Sequence, residues 1–126
     1  MKELIVSRIK TPDGTILTSK SVHDYVSHED TNGEFYFLDG GTEYQRMTVN
    51  TQQAEDLSLF TDDPFEEIRN ALYIYNRSLG DWQLLKDLDQ TLLQNLLENK
   101  KRANKNDKYA QMYQKEIEYR NEHVIN

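Results

Sequence analysis

Two arginines interrupt stripes of aromatic and apolar residues, where their guanidinium groups could contact a nucleotide. Phe65, Arg69 and Tyr73 are spaced four residues apart, which places them on one face of a helix. Arg120 divides a second stripe in the same way, and its neighbours at helical spacing are Tyr113, Ile117 and Val124. An aromatic ring can stack on a base while a guanidinium donates paired hydrogen bonds to a phosphate. This spacing indicates a candidate nucleotide site.

The same arginines also fit a purely structural role. An arginine on a core helix can lay its aliphatic stem along the core and pair its charge with a carboxylate. Glu66 and Glu116 are the partners that the sequence offers. From these residues alone the structural role is the better supported of the two, and the nucleotide site stays open.

The motifs of common catalytic sites do not occur in the sequence. There is no cysteine, no glycine-rich phosphate loop, and no HExxH or GxSxG pattern. His23, Asp24, His28, Glu29 and Asp30 lie close enough in sequence to suggest a metal cluster. In a strand, however, His23 would point away from both Asp24 and His28. We expect no metal, no cofactor and no enzyme activity. Catalysis by a carboxylate pair stays open, because no spacing selects a pair among 22 acidic residues.

The charge balance limits the partners. Fifteen Lys and Arg against 22 Asp and Glu give a formal charge of -7, and such a field repels nucleic acid. The basic cluster at residues 99–108 is a short polar stretch, so binding to duplex nucleic acid is not expected. No apolar run approaches the ~20 residues of a membrane span, so we expect no membrane partner. Together with the lack of cysteine, this favours an intracellular protein.

Turn signals divide the first part of the chain into strands. Pro12 to Gly14 predicts one chain reversal, and Asn32-Gly33 predicts a hairpin. Gly40-Gly41 precedes a last strand with Tyr44, Arg46 and Thr48 on one side. The predicted strands are residues 3–10, 16–19, 22–28, 34–39 and 42–50. They form an antiparallel meander of about four or five strands.

The second part of the chain is predicted to be helical. Asp63 as a cap, Pro64 and Glu66 predict a first helix from Pro64 to about Tyr75. Leucines at helical spacing predict an amphipathic helix over 84–99, and a Tyr/Met stripe predicts a third over 106–123. The fold class is therefore α+β in a single domain, 1–126, with a β meander over 1–50 and a helical part over 63–124.

Four segments together resemble the first class of Thoeris anti-defence proteins, a family of small phage and prophage proteins. They are IVSRIKTPDGTILTS (5–19), HDYVSHEDTNGEFYFLDGG (23–41), EDLSLFTDDPFEEIR (55–69) and EYRNEH (118–123). The resemblance implies a non-catalytic homo-oligomer, dimer or higher such as a hexamer, in the host bacterial cytoplasm. It implies capture of cyclic ADP-ribose isomers and, in some members, of cyclic oligonucleotides of the CBASS system at separate sites.

The chain differs from this family in two places. A basic residue usually precedes the HDY motif, where this chain has Val22, which speaks against a second, oligonucleotide-type site. Residues 71–83, ALYIYNRSLGDWQ, replace a GTYGKDG-like loop. Transfer of binding residues into that segment is therefore less direct than transfer to Arg69 or Arg120.

A sequestering protein needs several converging contacts. Nanomolar affinity corresponds to about -12 kcal/mol, whereas one stacked base or one charged hydrogen bond contributes roughly 1–3 kcal/mol. The contacts must therefore meet in an enclosed pocket, closed by helices of one or two subunits. The candidate ligand-binding residues are Arg46, Arg69, Tyr73, Asn76, Trp82, Tyr119 and Arg120.

Two other functions stay open at this point. The protein could be a phage protein that binds and inhibits a host protein through its acidic faces and exposed tyrosines. It could also be a hydrolase of cyclic nucleotides, which turnover and metal dependence would reveal.

Overall fold

The computed structural model describes residues 2–47, 54–104 and 106–123. The chain has the predicted α+β class, with antiparallel strands in its N-terminal part and three α-helices. It divides into two compact units, Met1–Phe60 and Thr61–Asn126. The predicted single domain and the predicted assembly through the helices stay predictions.

Seven short strands lie in the described residues of the first unit. They are β1 (Leu4–Lys10), β2 (Ile16–Ser19), β3 (Val26–Glu29), β4 (Phe35–Asp39), β5 (Arg46–Met47), β6 (Glu55–Asp56) and β7 (Leu59–Phe60). β1 pairs with β2, β6 and β7 in one sheet, while β3, β4 and β5 form a second, three-stranded sheet. All these pairings are antiparallel. The core cluster of the unit contains Ile9, Leu17, Tyr36 and Leu38, all buried.

The predicted single meander is corrected in this unit. β1 and β2 do not continue into β3 within one sheet; β1 instead pairs with the two short strands at 55–60, which the sequence analysis did not assign. The predicted strand over 22–28 is also too long, because β3 begins at Val26. The Asp24 carboxylate accepts a hydrogen bond from the Lys20 amide at 2.8 Å, and Ser19 Oγ donates to the Asp24 carbonyl at 2.6 Å. These bonds close a turn before the strand.

Both predicted chain reversals are confirmed. The Thr11 amide donates to the Thr15 carbonyl at 2.9 Å, which closes the turn from β1 to β2. In the β3–β4 turn, Asp30 Oδ1 accepts from the amides of Asn32 and Glu34, each at 2.9 Å. Gly33 there has a φ of +79°, which favours glycine.

The second unit combines a hairpin with three helices. Its elements are α1 (Phe65–Arg69), β8 (Tyr73–Asn76), β9 (Asp81–Leu84), a single 3-10 turn (Leu85–Asp87), α2 (Gln90–Asn104) and α3 (Lys108–Glu122). The buried apolar side chains of α2 and α3 are Leu93, Leu97, Ala110, Met112 and Tyr113. No helix in the described parts of the chain is long and apolar enough to cross a membrane.

Two of the predicted helices have different bounds. The first was predicted to reach Tyr75 but ends at Arg69, with Pro64 rather than Asp63 at its N-cap. Tyr73 lies instead on β8, where aromatic and β-branched residues favour a strand. The second helix begins at Gln90 rather than at residue 84. Asp89 Oδ2 accepts from the Thr91 amide at 3.1 Å and so caps the start.

The third helix is close to its prediction. It covers Lys108–Glu122, within the predicted 106–123, and Asp107 caps it by accepting from the Tyr109 and Ala110 amides at 2.8 and 3.2 Å. Val124, assigned to the same stripe, lies outside the described residues, as does Thr48 of the last predicted strand.

Candidate functional site

The seven predicted ligand-binding residues fall into three places. Arg46 lies on β5 of the first unit. In the second unit, Arg69, Tyr119 and Arg120 lie together on α1 and α3, whereas Tyr73, Asn76 and Trp82 lie on the β8–β9 hairpin.

A fully buried carboxylate holds the two arginines of the second unit. Glu116 receives two hydrogen bonds from Arg69, Nε to Oε1 and Nη2 to Oε2, both at 2.8 Å. Arg120 donates from Nε to Oε2 at 2.7 Å. It also donates to Gln90 Oε1 at 3.0 Å and to the carbonyls of Leu85 and Lys86 at 3.3 Å. The pairing with Glu116 considered as the structural alternative is therefore present.

Tyr119 extends this cluster towards the end of α3. The guanidinium carbon of Arg69 lies 4.1 Å from the centre of the Tyr119 ring, close enough for a cation–π contact. The ring of His123 stacks on the ring of Tyr119, with ring centres 3.9 Å apart. The ring of Phe65 lies tilted against Tyr119, with ring centres 6.1 Å apart. The hydrogen bonds to Glu116 raise the pKa of Arg69 above its ordinary value. Arg69 and Arg120 thus tie α1, α3 and the 85–90 segment together through one carboxylate.

The hairpin residues face in opposite directions. Asn76 is buried; its amide donates to Gln83 Oε1 at 2.8 Å, and its carbonyl oxygen accepts from the Ser78 amide at 3.0 Å. Trp82 lies opposite Tyr75, and their rings meet edge to face with centres 5.4 Å apart. The Asn76 side chain is therefore occupied in shaping the turn, whereas the rings of Tyr75 and Trp82 cover the other side of the hairpin.

A depression of about 510 Å³ lies between α2 and α3. It is lined by Lys101, Ala110, Gln111, Gln114, Lys115 and Glu118, and none of the predicted ligand-binding residues is among them.

Arg46 belongs to an arrangement of a different kind, on the side of the β3–β4–β5 sheet that faces away from the core. Ser27 lies opposite Phe37, Glu29 opposite Phe35, and Asp39 opposite Arg46. Residues opposite each other in an antiparallel pair share one side of the sheet. We call this side the outer face and define it by Tyr25, Phe35, Phe37, Asp39, Tyr44 and Arg46.

The outer face exposes aromatic rings next to a cation. Tyr25 and Tyr44 are 53% and 49% exposed, respectively. Tyr25 and Phe37 stack with ring centres 5.7 Å apart and planes inclined by 15°. The Arg46 guanidinium carbon lies 5.8 Å from the centre of the Tyr44 ring. The rings thus offer stacking surfaces, and Arg46, with 64% of its side chain exposed, can be approached from solvent.

Backbone contacts fix the position of Tyr44. Its hydroxyl donates to the Val22 carbonyl at 3.0 Å, and a side chain at Gly40 would come within 2.7 Å of its ring. The Gly41 amide donates to Ser19 Oγ at 2.9 Å. The glycine pair therefore lets the turn after β4 lie directly against the ring and against the turn before β3.

Asp39 balances the charge of Arg46. Arg46 Nη2 donates to Asp39 Oδ2, and the carboxylate side chain is only 10% exposed. This hydrogen bond lowers the pKa of Asp39 below its ordinary value, against the opposite effect of its desolvation. It also raises the pKa of Arg46, and the phenol groups of Tyr44 and Tyr25 add to that effect. The polar part of the outer face is an ion pair.

The described residues include no group of three or more His, Asp or Glu side chains placed to hold a metal ion. His28 instead contacts the β1–β2 turn: its Nε2 lies 2.7 Å from Asp13 Oδ2 and 3.3 Å from Thr15 Oγ1. His28 and Asp13 thus fasten β3 to the neighbouring turn.

Comparisons with known proteins add no relationship: no protein-family model matches the chain, and no curated protein or solved structure shows significant similarity to it.

Sequence reasoning found Arg46 but missed the other members of the outer face. Phe37 and Asp39 lie on β4, Tyr25 directly precedes β3, and Tyr44 was placed beside Arg46 without a role. The Asn32-Gly33 turn was the available signal, since pairing the strands across it puts Ser27 opposite Phe37.

Proposed function

We propose that this protein binds and sequesters a small cyclic signalling nucleotide of the cyclic ADP-ribose type, without cleaving it, at the outer face. The observation that carries the proposal is the presence of two half-exposed tyrosine rings beside the solvent-accessible guanidinium of Arg46. Aromatic rings on a sheet face stack on bases of any kind. The family resemblance supports the same ligand class, with a phage origin and the host bacterial cytoplasm as the place of action.

The size of the outer face limits the affinity of one chain. Each stacked base contributes roughly 1–3 kcal/mol, and a hydrogen bond to a charged group roughly 1.5–3 kcal/mol. Cyclic ADP-ribose contains one base, so one stack and one such bond give at most about 6 kcal/mol, which corresponds to binding in the tens of micromolar. Nanomolar capture therefore requires additional enclosing contacts, and the proposed homo-oligomer is the means of supplying them.

The proposal is tested by titrating purified protein with cyclic ADP-ribose in a calorimeter. Tyr25→Ala should weaken binding by about tenfold, because it removes one stacking surface. Tyr75→Ala is the matched control: Tyr75 is also exposed, at 46%, but lies on the β8–β9 hairpin, so its loss should leave affinity unchanged. Equal effects of the two variants, or no binding by the parent protein, would contradict the proposal.

The fate of the ligand separates capture from hydrolysis. Protein loaded with cyclic ADP-ribose and then denatured by heat should release the ligand chemically unchanged, as judged by chromatography. Recovery of a linear product would favour the cyclic nucleotide hydrolase instead.

The cluster around Glu116 is the competing location for the ligand. Arg120→Ala removes a guanidinium that contacts the buried carboxylate and three further oxygen atoms of the second unit. With the site on the outer face, this variant should lose stability and keep its affinity. A tenfold loss of affinity with unchanged stability would move the site to Arg69, Tyr119 and Arg120.

A second function is favoured by the same exposed residues. Tyrosine and arginine are enriched in protein–protein interfaces, so the outer face also suits a host protein as its partner. In that case tagged protein should capture one stoichiometric host protein and Tyr25→Ala should lose it. Cyclic ADP-ribose would then cause no shift in the thermal midpoint.

A further inference from the structure

The charge of Arg46 is not available in full to a ligand. Its Nη2 is bonded to Asp39, whose side chain is largely covered, whereas most of the arginine side chain is exposed. A phosphate that drew the guanidinium away would leave a covered carboxylate without its partner, which is unfavourable. A phosphate that bound without displacing Asp39 would meet an ion pair of zero net charge.

Two carboxylates, one on the same side of the sheet and one beside Tyr44, oppose a positive field. Glu29 lies on the same side of the sheet, opposite Phe35, and is exposed. Glu43, next to Tyr44, is also exposed, and the whole chain carries a formal charge of -7. A phosphate approaching the outer face therefore gains little from long-range electrostatics.

The aromatic surfaces do not depend on ligand charge. Tyr25 lies parallel to Phe37, and Tyr44 is held by its hydrogen bond to Val22, so both rings are positioned before a ligand arrives. Stacking on such rings needs only the flat surface of a base.

On the basis of the proposed function, we infer that the outer face holds its ligand through the base, while the phosphate groups contribute little because Asp39 neutralises Arg46. The site accepts nucleosides, mononucleotides and cyclic ADP-ribose with similar affinity. Binding is also nearly independent of salt concentration.

The test compares adenosine, AMP and cyclic ADP-ribose in titrations followed by NMR, at about 50 mM and about 300 mM NaCl. Adenosine and AMP should have dissociation constants within about threefold of each other, and each should change by less than about twofold with salt. An AMP preference of tenfold or more, or a salt-dependent loss of that size, would overturn the inference.

A charge variant gives a second, independent measurement. Asp39→Asn keeps the size of the side chain and removes its charge, so Arg46 should then attract phosphate. AMP should bind about tenfold more tightly relative to adenosine than in the parent protein, with clear weakening in salt. An unchanged AMP-to-adenosine ratio in correctly folded D39N protein would overturn the assignment to Asp39.

The outcomes separate this inference from the proposed function. If cyclic ADP-ribose binds and adenosine does not, the inference fails and the proposed function stands. If none of the three ligands binds up to millimolar concentration, both fail.

Discussion

Replacing Glu116 with glutamine should destabilise the second unit strongly. The carboxylate is fully buried and receives three hydrogen bonds from Arg69 and Arg120, whose side chains are only 16% and 21% exposed. Glutamine keeps the size but removes the negative charge and turns an amide donor towards a guanidinium. Removing one partner of a buried ion pair costs about 3–5 kcal/mol, so Glu116→Gln should lower the free energy of unfolding by about that amount.

The single tryptophan of the chain provides the assay. Trp82 lies in the same unit as Glu116, so its fluorescence during a urea titration reports the unfolding of that unit. With a urea dependence of about 2 kcal/mol per molar, the midpoint should fall by roughly 1.5–2.5 M. Glu118→Gln, an exposed carboxylate on the same helix, is the control and should stay within about 0.5 kcal/mol. A Glu116→Gln protein as stable as this control would refute the reasoning.

Two further changes test the first unit. Thr11 and His28, in that order, lower the pKa of Asp13 from its ordinary 3.8. Because its pKa is lower in the folded state, the stabilisation is complete above about pH 4 and is lost on further acidification. In urea titrations below pH 4, the free energy of unfolding should therefore decrease less steeply with falling pH in Asp13→Asn than in the parent protein. An equal pH dependence in the two proteins would contradict this. Gly41→Ala would place a methyl group 2.6 Å from the Ser21 backbone, whereas Gly33→Ala meets open space at a similarly positive φ. Gly41→Ala should lower the free energy of unfolding by at least about 2 kcal/mol more than Gly33→Ala does. Equal thermal midpoints of the two variants would contradict the close contact between Gly41 and the Ser21 backbone.

Local signals in the sequence predicted the turns and the third helix correctly. The Asn32-Gly33 hairpin depends on a positive φ at Gly33 and on hydrogen bonds from within five residues of chain. Asp107 likewise caps α3 through its immediate neighbours. Such features depend on adjacent residues, so a sequence read along the chain contains them.

Features set by distant pairing were not predictable in the same way. Tyr73 stands four residues after Arg69, which fits a helix, but its strand is fixed by the partner Leu84 across a hairpin. The segment at 55–60 pairs with β1, whose residues stand 45 to 56 positions earlier, and two-residue strands carry no recognisable period.

The candidate site shows the same division. The sequence drew attention to arginines within apolar stripes. Whether Arg69 and Arg120 are available to a ligand or held in ion pairs depended on the position of Glu116. Asp39 was assigned to the outer face from its pairing with Arg46 across β4 and β5, and Tyr25 from the stacking of its ring on Phe37.

Strand β4 carries bulky apolar side chains in succession, with Tyr36 and Leu38 inside and Phe35 and Phe37 outside. Hydrophobicity alone therefore scarcely distinguishes its two possible orientations, since a slip of one position would exchange one set for the other. The discrimination comes from the tight loop at Asp30, whose carboxylate holds two amides and sets the length of the connection. Inserting one residue there should turn the outer face towards the interior, so the five residues between β3 and β4 determine which aromatic rings are exposed to solvent.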